Sequence, residues 1–233
     1  MKTKRISRTL LASAVLFALA APAQATPINL VTNGDFESGN TGFVSNYAYS
    51  PASNTAEAQY TVRTNPYPWN SFFISAGDHT SGIGNMFVGN GAPTAGSIVW
   101  GSGTTISVLS NTDYFFEAWA MNVCCTSAYG GLNSPAILEF AVLGDLSSAS
   151  LGTISTLLSP GTWQFLGTTW NSGLNTSVSL RIINQNTTAG GNDFALDDIH
   201  FSTVSSVPVP EPASLALLGI GLAGLATMRR RKV

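Results

Sequence analysis

Cys124 and Cys125 are the only thiols in the chain, and they are neighbours. Three chemistries are open to such a pair. It can close on itself as a vicinal disulfide, although Cα atoms only about 3.8 Å apart make ordinary disulfide geometry hard to reach. It can hold a metal through two thiolates, but the usual spacing of zinc ligands is missing and His79 and His200 lie far away in sequence. Or it can stay reduced and buried as two small apolar groups. In an oxidising compartment the disulfide is favoured, where it would lock a tight turn after a strand over 114–123.

Two carboxyls invite a second chemistry. Glu117 falls in the run Tyr114–Met121 beside Trp119, and Glu139 alternates away from the apolar Leu138, Phe140 and Val142. If those two strands pair, the acids share a face with Trp119, and a pair of carboxyls flanking a sugar is how glycosidases work. Against an enzyme stands the absence of a Gly-x-Ser-x-Gly elbow, a His-Glu-x-x-His pair, a phosphate loop and a dinucleotide fingerprint. Asp78-His79 is a charged pair in a Gly-rich loop without an obvious nucleophile and reads as a surface pair. The expectation is a protein that is not an enzyme and has no catalytic residue.

Aromatic rings beside amides suit a third role, non-catalytic sugar binding, because pyranose faces stack on exposed rings while amides meet their hydroxyls. Asn65-Pro66-Tyr67-Pro68-Trp69-Asn70 is the foremost candidate, with prolines expected to hold the backbone extended. Tyr67, Trp69 and Asn70 would form the contact surface, joined by Trp119 on a strand face and Tyr129 in a Gly-rich turn. The alternative for Trp69 is that it folds inward to cap an open end of the domain. Trp163 and Trp170 are read as core.

The elements that must position these residues read as strands. Expected strands are 28–31, 43–49, 58–63, 86–88, 97–100, 104–109, 114–123, 136–143, 152–156, 163–170, 178–183 and 194–201. Several alternate apolar and polar residues, as in Val178, Leu180 and Ile182, and Asn-Gly, Ser-Gly, Gly-Gly and Pro-Gly pairs separate them. No window carries a helical apolar stripe. Many short strands at this spacing predict an all-β sandwich or barrel. The stretch 65–96, rich in Gly, Pro and Asn, is expected to be long loops with a short strand or two.

Charge is distributed unevenly. Eight of the ten basic residues lie at the two ends, which leaves Arg63 and Arg181 against eleven acids between Thr26 and Val209, a formal charge of −9. Such a domain lacks the clustered Lys and Arg that nucleic acid requires. At the N-terminus, Lys2, Lys4, Arg5 and Arg8 precede the apolar Leu10–Ala20 and the small-x-small motif Ala23-Gln24-Ala25. This is the pattern of a cleavable signal peptide over 1–25, read by the Sec export machinery. A single domain over 26–206 follows.

The last segment, 207–233, joins Pro208 and Pro210-Glu211-Pro212 to an apolar run of 16 residues, Ala213–Met228, and then to Arg229, Arg230, Arg231 and Lys232. As a helix the run is about 24 Å long, short of a stable membrane span, and its basic end stays on the cytoplasmic side. The arrangement resembles the PEP-CTERM sorting signal of Gram-negative bacteria. The resemblance implies export across the inner membrane, transient anchoring through this tail alone, and cutting near the motif by an exosortase, leaving the product at the cell surface or in the extracellular matrix. An ordinary C-terminal anchor is the competing reading, against which the short span argues.

The edges of the central domain carry a second resemblance. Asn29-Leu30-Val31-Thr32-Asn33-Gly34-Asp35-Phe36-Glu37-Ser38-Gly39 and Gly191-Asn192-Asp193-Phe194-Ala195-Leu196-Asp197-Asp198-Ile199 resemble the first and closing strands of jelly-roll carbohydrate-binding modules with a galactose-binding-like fold. The resemblance implies a jelly-roll β-sandwich that binds an extracellular polysaccharide. It also implies one structural Ca2+ shared by the first and last strands, for which Asp35, Glu37, Asp197 and Asp198 supply oxygen ligands, Glu37 and Asp198 foremost. Asp35 would otherwise cap a turn. The alternative function is a structural surface or biofilm protein that binds no sugar.

Overall fold

The computed structural model describes residues 28–125 and 134–207. The signal peptide, Tyr129 and the sorting-tail residues Pro210, Glu211, Pro212, Arg229, Arg230 and Arg231 lie outside the described residues. Within them every regular element is a strand: β1 (Phe43–Val44), β2 (Ala48–Tyr49), β3 (Gln59–Arg63), β4 (Met86–Asn90), β5 (Ser97–Ser102), β6 (Ile106–Ser107), β7 (Asp113–Asn122), β8 (Ile137–Gly144), β9 (Ser148–Ser155), β10 (Trp163–Asn171), β11 (Ser177–Asn184) and β12 (Phe194–Ser202). They form two six-stranded sheets. The first runs β1-β5-β11-β8-β9, with β6 also on β11, and the second runs β10-β7-β12-β4-β3-β2. Every pairing is antiparallel except β2 with β3.

Side-chain alternation builds the core between the sheets. Tyr114, Phe116, Ala118 and Ala120 of β7 face inward with Leu196, Ile199 and Phe201 of β12. They meet Leu138, Phe140 and Val142 of β8 and Val178, Leu180 and Ile182 of β11. Phe116 and Phe140 join the layers edge to face, 4.8 Å between centroids. Each fully buried ring or branched chain contributes about 1.5–3 kcal/mol by leaving water. This is the expected all-β jelly-roll sandwich.

Several expected elements differ. Residues 28–31 form no strand. Asn29 instead straps the chain to β12, its Nδ2 donating to Ile199 O at 2.9 Å and its Oδ1 accepting from Phe201 N at 3.0 Å. The single strand expected over 43–49 divides, β1 entering one sheet and β2 the other. Side chains take over backbone duties at the crossing: Ser45 Oγ accepts from Tyr47 N at 3.0 Å, and Asn46 Oδ1 from Ile98 N at 3.0 Å. The Tyr47 hydroxyl is buried beneath, accepting from Ala92 N and Asn184 Nδ2. Glu117 and Glu139 do not share a face. Their strands, β7 and β8, belong to different sheets, and Glu139 is engaged by Gln185 Nε2. The glycosidase-like pairing of these acids is thereby overturned.

The outer face of the second sheet is divided. On one half Met86, Val88, Met121, Val123 and Ala195 are covered by Trp69 and Phe73 from the loop before β4. The other half, around Trp119, is covered only in part, by the loop that carries His79.

Candidate functional site

A β-bulge arranges the partly covered half. The pairing of β12 with β7 slips between Asp197, opposite Trp119, and His200, opposite Glu117, and Asp198 takes a left-handed φ of 47°. The extra residue matches the sequence Leu-Asp-Asp-Ile-His-Phe. It lets Leu196, Ile199 and Phe201 all point into the core and leaves Asp197, Asp198 and His200 for the outer side. Gly34 completes the device: its carbonyl accepts from Ile199 N at 2.8 Å, and a Cβ there would lie 2.0 Å from Ile199 O.

On this frame lies a cleft of about 620 Å³, lined by Trp119, His79, His200, Asp198, Asp35, Asn29 and Asn33 among others. Both histidines of the chain line it. His79 stacks on Trp119 with centroids 3.8 Å apart and planes 16° from parallel. Its Nδ1 lies 2.6 Å from Asp198 Oδ2, and its backbone N donates to Asp197 Oδ2 at 2.9 Å. The loop carrying His79 is thus fastened to β12 at two carboxylates. His200 is buried, with Nδ1 3.5 Å from Glu117 Oε2, and its Nε2 has no hydrogen-bond partner among the described residues.

Glu117 is buried at one side of the cleft. Ser205 Oγ, Ser206 N and Ser206 Oγ donate to it at 2.5, 2.7 and 2.6 Å. Burial alone would push its carboxyl up, but His200 and these bonds outweigh that and hold it at about 2. Glu117 is therefore an ionised acceptor that fixes the last described residues against the sheet.

Beside the cleft, Asp35, Glu37, Asp78, Asp197 and Asp198 line an acidic depression of about 350 Å³ with Thr80 and Ser81. Burial and the charge of Asp198 push the Asp197 carboxyl up to about 7. A Cβ on Gly84 would sit 2.3 Å from Glu37 Oε1 and 3.1 Å from Asp78 Oδ2, so the bare backbone lets these two carboxylates converge. The donor set is all oxygen and suits a hard cation. These carboxylates already accept hydrogen bonds: Asp198 Oδ2 from Thr80 Oγ1, with His79 Nδ1 beside it, Asp197 from Asp198 N and His79 N, Asp78 from Ser81 and Gly84 N, and Glu37 Oε1 from Asn85 N. Asp35 Oδ1 accepts weakly from Glu37 N at 3.4 Å, as a turn-capping residue does.

The proline-flanked loop departs from expectation. Trp69 N and Asn70 N both donate to Pro66 O, at 3.0 and 3.1 Å, so the backbone turns instead of extending. Residues two apart then point to opposite sides. Tyr67 is 53% exposed, whereas Trp69 is 1% exposed, packs on Phe73 and donates from Nε1 to Ser50 O at 2.9 Å. Asn70 is buried too, its Oδ1 accepting from Phe72 N. Trp69 and Asn70 are thus core and turn residues, not a stacking platform, and only Tyr67 and Trp119 of the described candidates present ring surface outward.

Cys124 and Cys125 are joined through their sulfurs. They line a third hollow, of about 250 Å³, with Glu57, Asn70, Asn90 and Asp193. Burial pushes Asp193 up to about 7. Glu57 is also pushed up to about 7 by burial, but it stands solvent-exposed on the rim, so the surrounding water screens it and its shift carries less weight than that of Asp193.

Sequence reasoning missed Asp78, His79 and His200. The available signal was that each histidine stands one or two residues from an acid, in Asp78-His79 and Asp198-Ile199-His200.

Among curated proteins none matches the chain. Solved structures with a similar course of strands include the enzymatically active domain of tailspike protein 4 of bacteriophage CBA120, at 14% identity and a TM-score of 0.46 over 75% of this chain. The chain spans only 21% of that protein. A xylan-binding domain from Paenibacillus barcinonensis is 14% identical over 77% of this chain and 97% of its own, with a TM-score of 0.46. A second module of carbohydrate-binding family 16 is 13% identical over 74% and 99%, with a TM-score of 0.45. The assignment of a jelly-roll sandwich rests on the two sheets themselves. Residues 208–232 match the family model of the PEP-CTERM protein-sorting motif, and the chain carries that sorting signal at its C-terminal end.

Proposed function

We propose that this is an exported surface or matrix protein of a Gram-negative bacterium, cut by an exosortase at its sorting motif, whose sandwich domain binds polysaccharide without catalysis. The observation that carries the binding reading is the stacked Trp119–His79 pair in a cleft edged by amide and carboxylate groups. Flat rings beside fixed acceptors suit a pyranose, which offers an apolar face and a ring of hydroxyls. The formal charge of −9 on the domain favours neutral or cationic glycans over acidic ones.

Affinity electrophoresis through gels containing neutral and cationic polysaccharides tests the reading. Trp119→Ala should migrate unretarded while still unfolding in one cooperative transition, with a lowered midpoint because its packing on His79 and Phe165 is lost. If no polysaccharide retards the wild type, the domain is a building block of the matrix and not a sugar binder. Processing has its own test in the intact mass of the exported protein. A mass running from Thr26 to Val233 would make the tail a permanent anchor.

The acidic depression is proposed to hold one calcium ion through Glu37, Asp78 and Asp197, with Asp35 and Asp198 adjoining. When bound, the ion would offset the facing carboxylates and would tie the first turn, the 78–84 loop and β12 together.

A further inference from the structure

The hollow that contains the cysteines shares no lining residue with the Trp119 cleft. It lies where β4 and β7 end and β12 begins. Cys124 and Asp193 are 2% and 4% exposed. A sulfur of Cys124, a sulfur of Cys125 and a carboxylate oxygen of Asp193 lie within 4.8 Å of one another. Two backbone contacts fix this arrangement: Gly91 N donates to Asp193 Oδ1 at 3.1 Å, and Cys124 N donates to Asn122 Oδ1 at 2.9 Å. Among the described residues no Lys, Arg or His lines the hollow, and Glu57 stands at its rim.

We propose that this is a redox-gated site for a thiophilic divalent cation, closed while Cys124 and Cys125 are bonded and, once they are reduced, holding one ion through both sulfurs and the Asp193 carboxylate. Adjacent cysteines alone lack the spacing of a metal motif. The fold supplies what the spacing withholds, a third ligand from the far end of the chain, held in place by a backbone N–H as metal ligands are. Three protein ligands leave a fourth position for water or for the Glu57 carboxylate. Thiolate donors select zinc-like ions over calcium and magnesium, so this site and the all-oxygen depression would take different cations.

The chemistry balances. A dithiol reductant outside the cell gives two electrons and two protons, the Cys124–Cys125 bond breaks, and the donor leaves as its own disulfide. On binding, each thiol releases its proton to solvent, and so does Asp193 if protonated. Without the ion, two thiolates and a carboxylate would face each other with no positive charge among the lining residues.

Cadmium serves as the probe, with the exported protein used whole. A phosphine reductant opens the disulfide, taking its oxygen from water, and is removed by gel filtration before cadmium is added. With excess calcium present to fill the acidic depression, equilibrium dialysis should find one cadmium more per reduced chain than per oxidised chain, with a thiolate-to-metal ultraviolet band on the reduced form only. Asp193→Asn should keep the band and bind at least tenfold more weakly, and Cys124→Ser should lose it. Should a variant fold poorly, the wild type still decides. Cadmium should protect both thiols of the reduced protein from alkylation. The proposal is overturned if the reduced chain binds no cadmium, if the oxidised chain binds equally, if Asp193→Asn binds as the wild type does, or if cadmium leaves alkylation unchanged.

Discussion

Asp193 and Asp197 make the stability of this domain depend on pH in the direction opposite to that of a salt-bridged acid. Burial pushes both from an ordinary 3.8 to about 7, and the Asp198 charge adds to the effect at Asp197. A carboxyl whose folded pKa is raised holds its proton more tightly in the native state than in the unfolded chain. Its stabilisation is complete below about pH 4 and is lost as the pH climbs through about 7. Between pH 5 and pH 8 the loss comes to roughly 2–3 kcal/mol for each aspartate. Glu117, held at about 2, has the opposite sign, but its window lies between about 4.5 and 2, below this range. Urea unfolding of the 26–206 domain in chelator, at pH 5 and pH 8, measures the effect. The wild type should be markedly less stable at pH 8. Asp193→Asn and Asp197→Asn should each remove about half of the difference, because the amide fills the same space and does not titrate. Stability that is flat or rising from pH 5 to pH 8, or asparagine variants that keep the full wild-type slope, would refute the reasoning.

Two further outcomes follow from the same site. Trp69→Ala should destabilise the domain by about 3–5 kcal/mol in urea unfolding, since it empties a buried ring site and orphans Ser50 O; a variant as stable as the wild type would place the ring outside the core. Calcium at a hundred times its dissociation constant should stabilise the domain by about 2.7 kcal/mol, and Glu37→Gln or Asp197→Asn should abolish most of that shift in thermal melts; equal melting in calcium and in chelator would remove the ion from the depression.

The sandwich was legible in the sequence because its strands alternate cleanly. Val178, Leu180 and Ile182, and Leu138, Phe140 and Val142, are core as the period of two predicts. What alternation cannot convey is which strands pair. Glu117 and Glu139 sit on consecutive strands, yet those strands part into different layers, and a long-range pairing of this kind leaves no local mark. The proline loop misled for a different reason. Proline fixes φ but not ψ, so Pro66-Tyr67-Pro68 could extend or turn, and the turn closed by Pro66 O sends Trp69 inward. The site itself was half legible. The carboxylates at both edges of the domain do meet, but the bulge that sends Asp198 to His79 depends on a ladder shift that no residue pattern announces.

The passage of the chain from one layer to the other between Val44 and Ala48 has a mechanical consequence. A sandwich whose layers touch only through side chains can shear or splay along the plane between them. Here one continuous backbone is zipped into β5 on one side and β3 on the other, with the Tyr47 hydroxyl pinned beneath the crossing. Parting the layers at this edge requires breaking one of those ladders first, so a tug on the N-terminal side meets backbone hydrogen bonds before it reaches the core. Such a stitch lets the two layers bear load as one body.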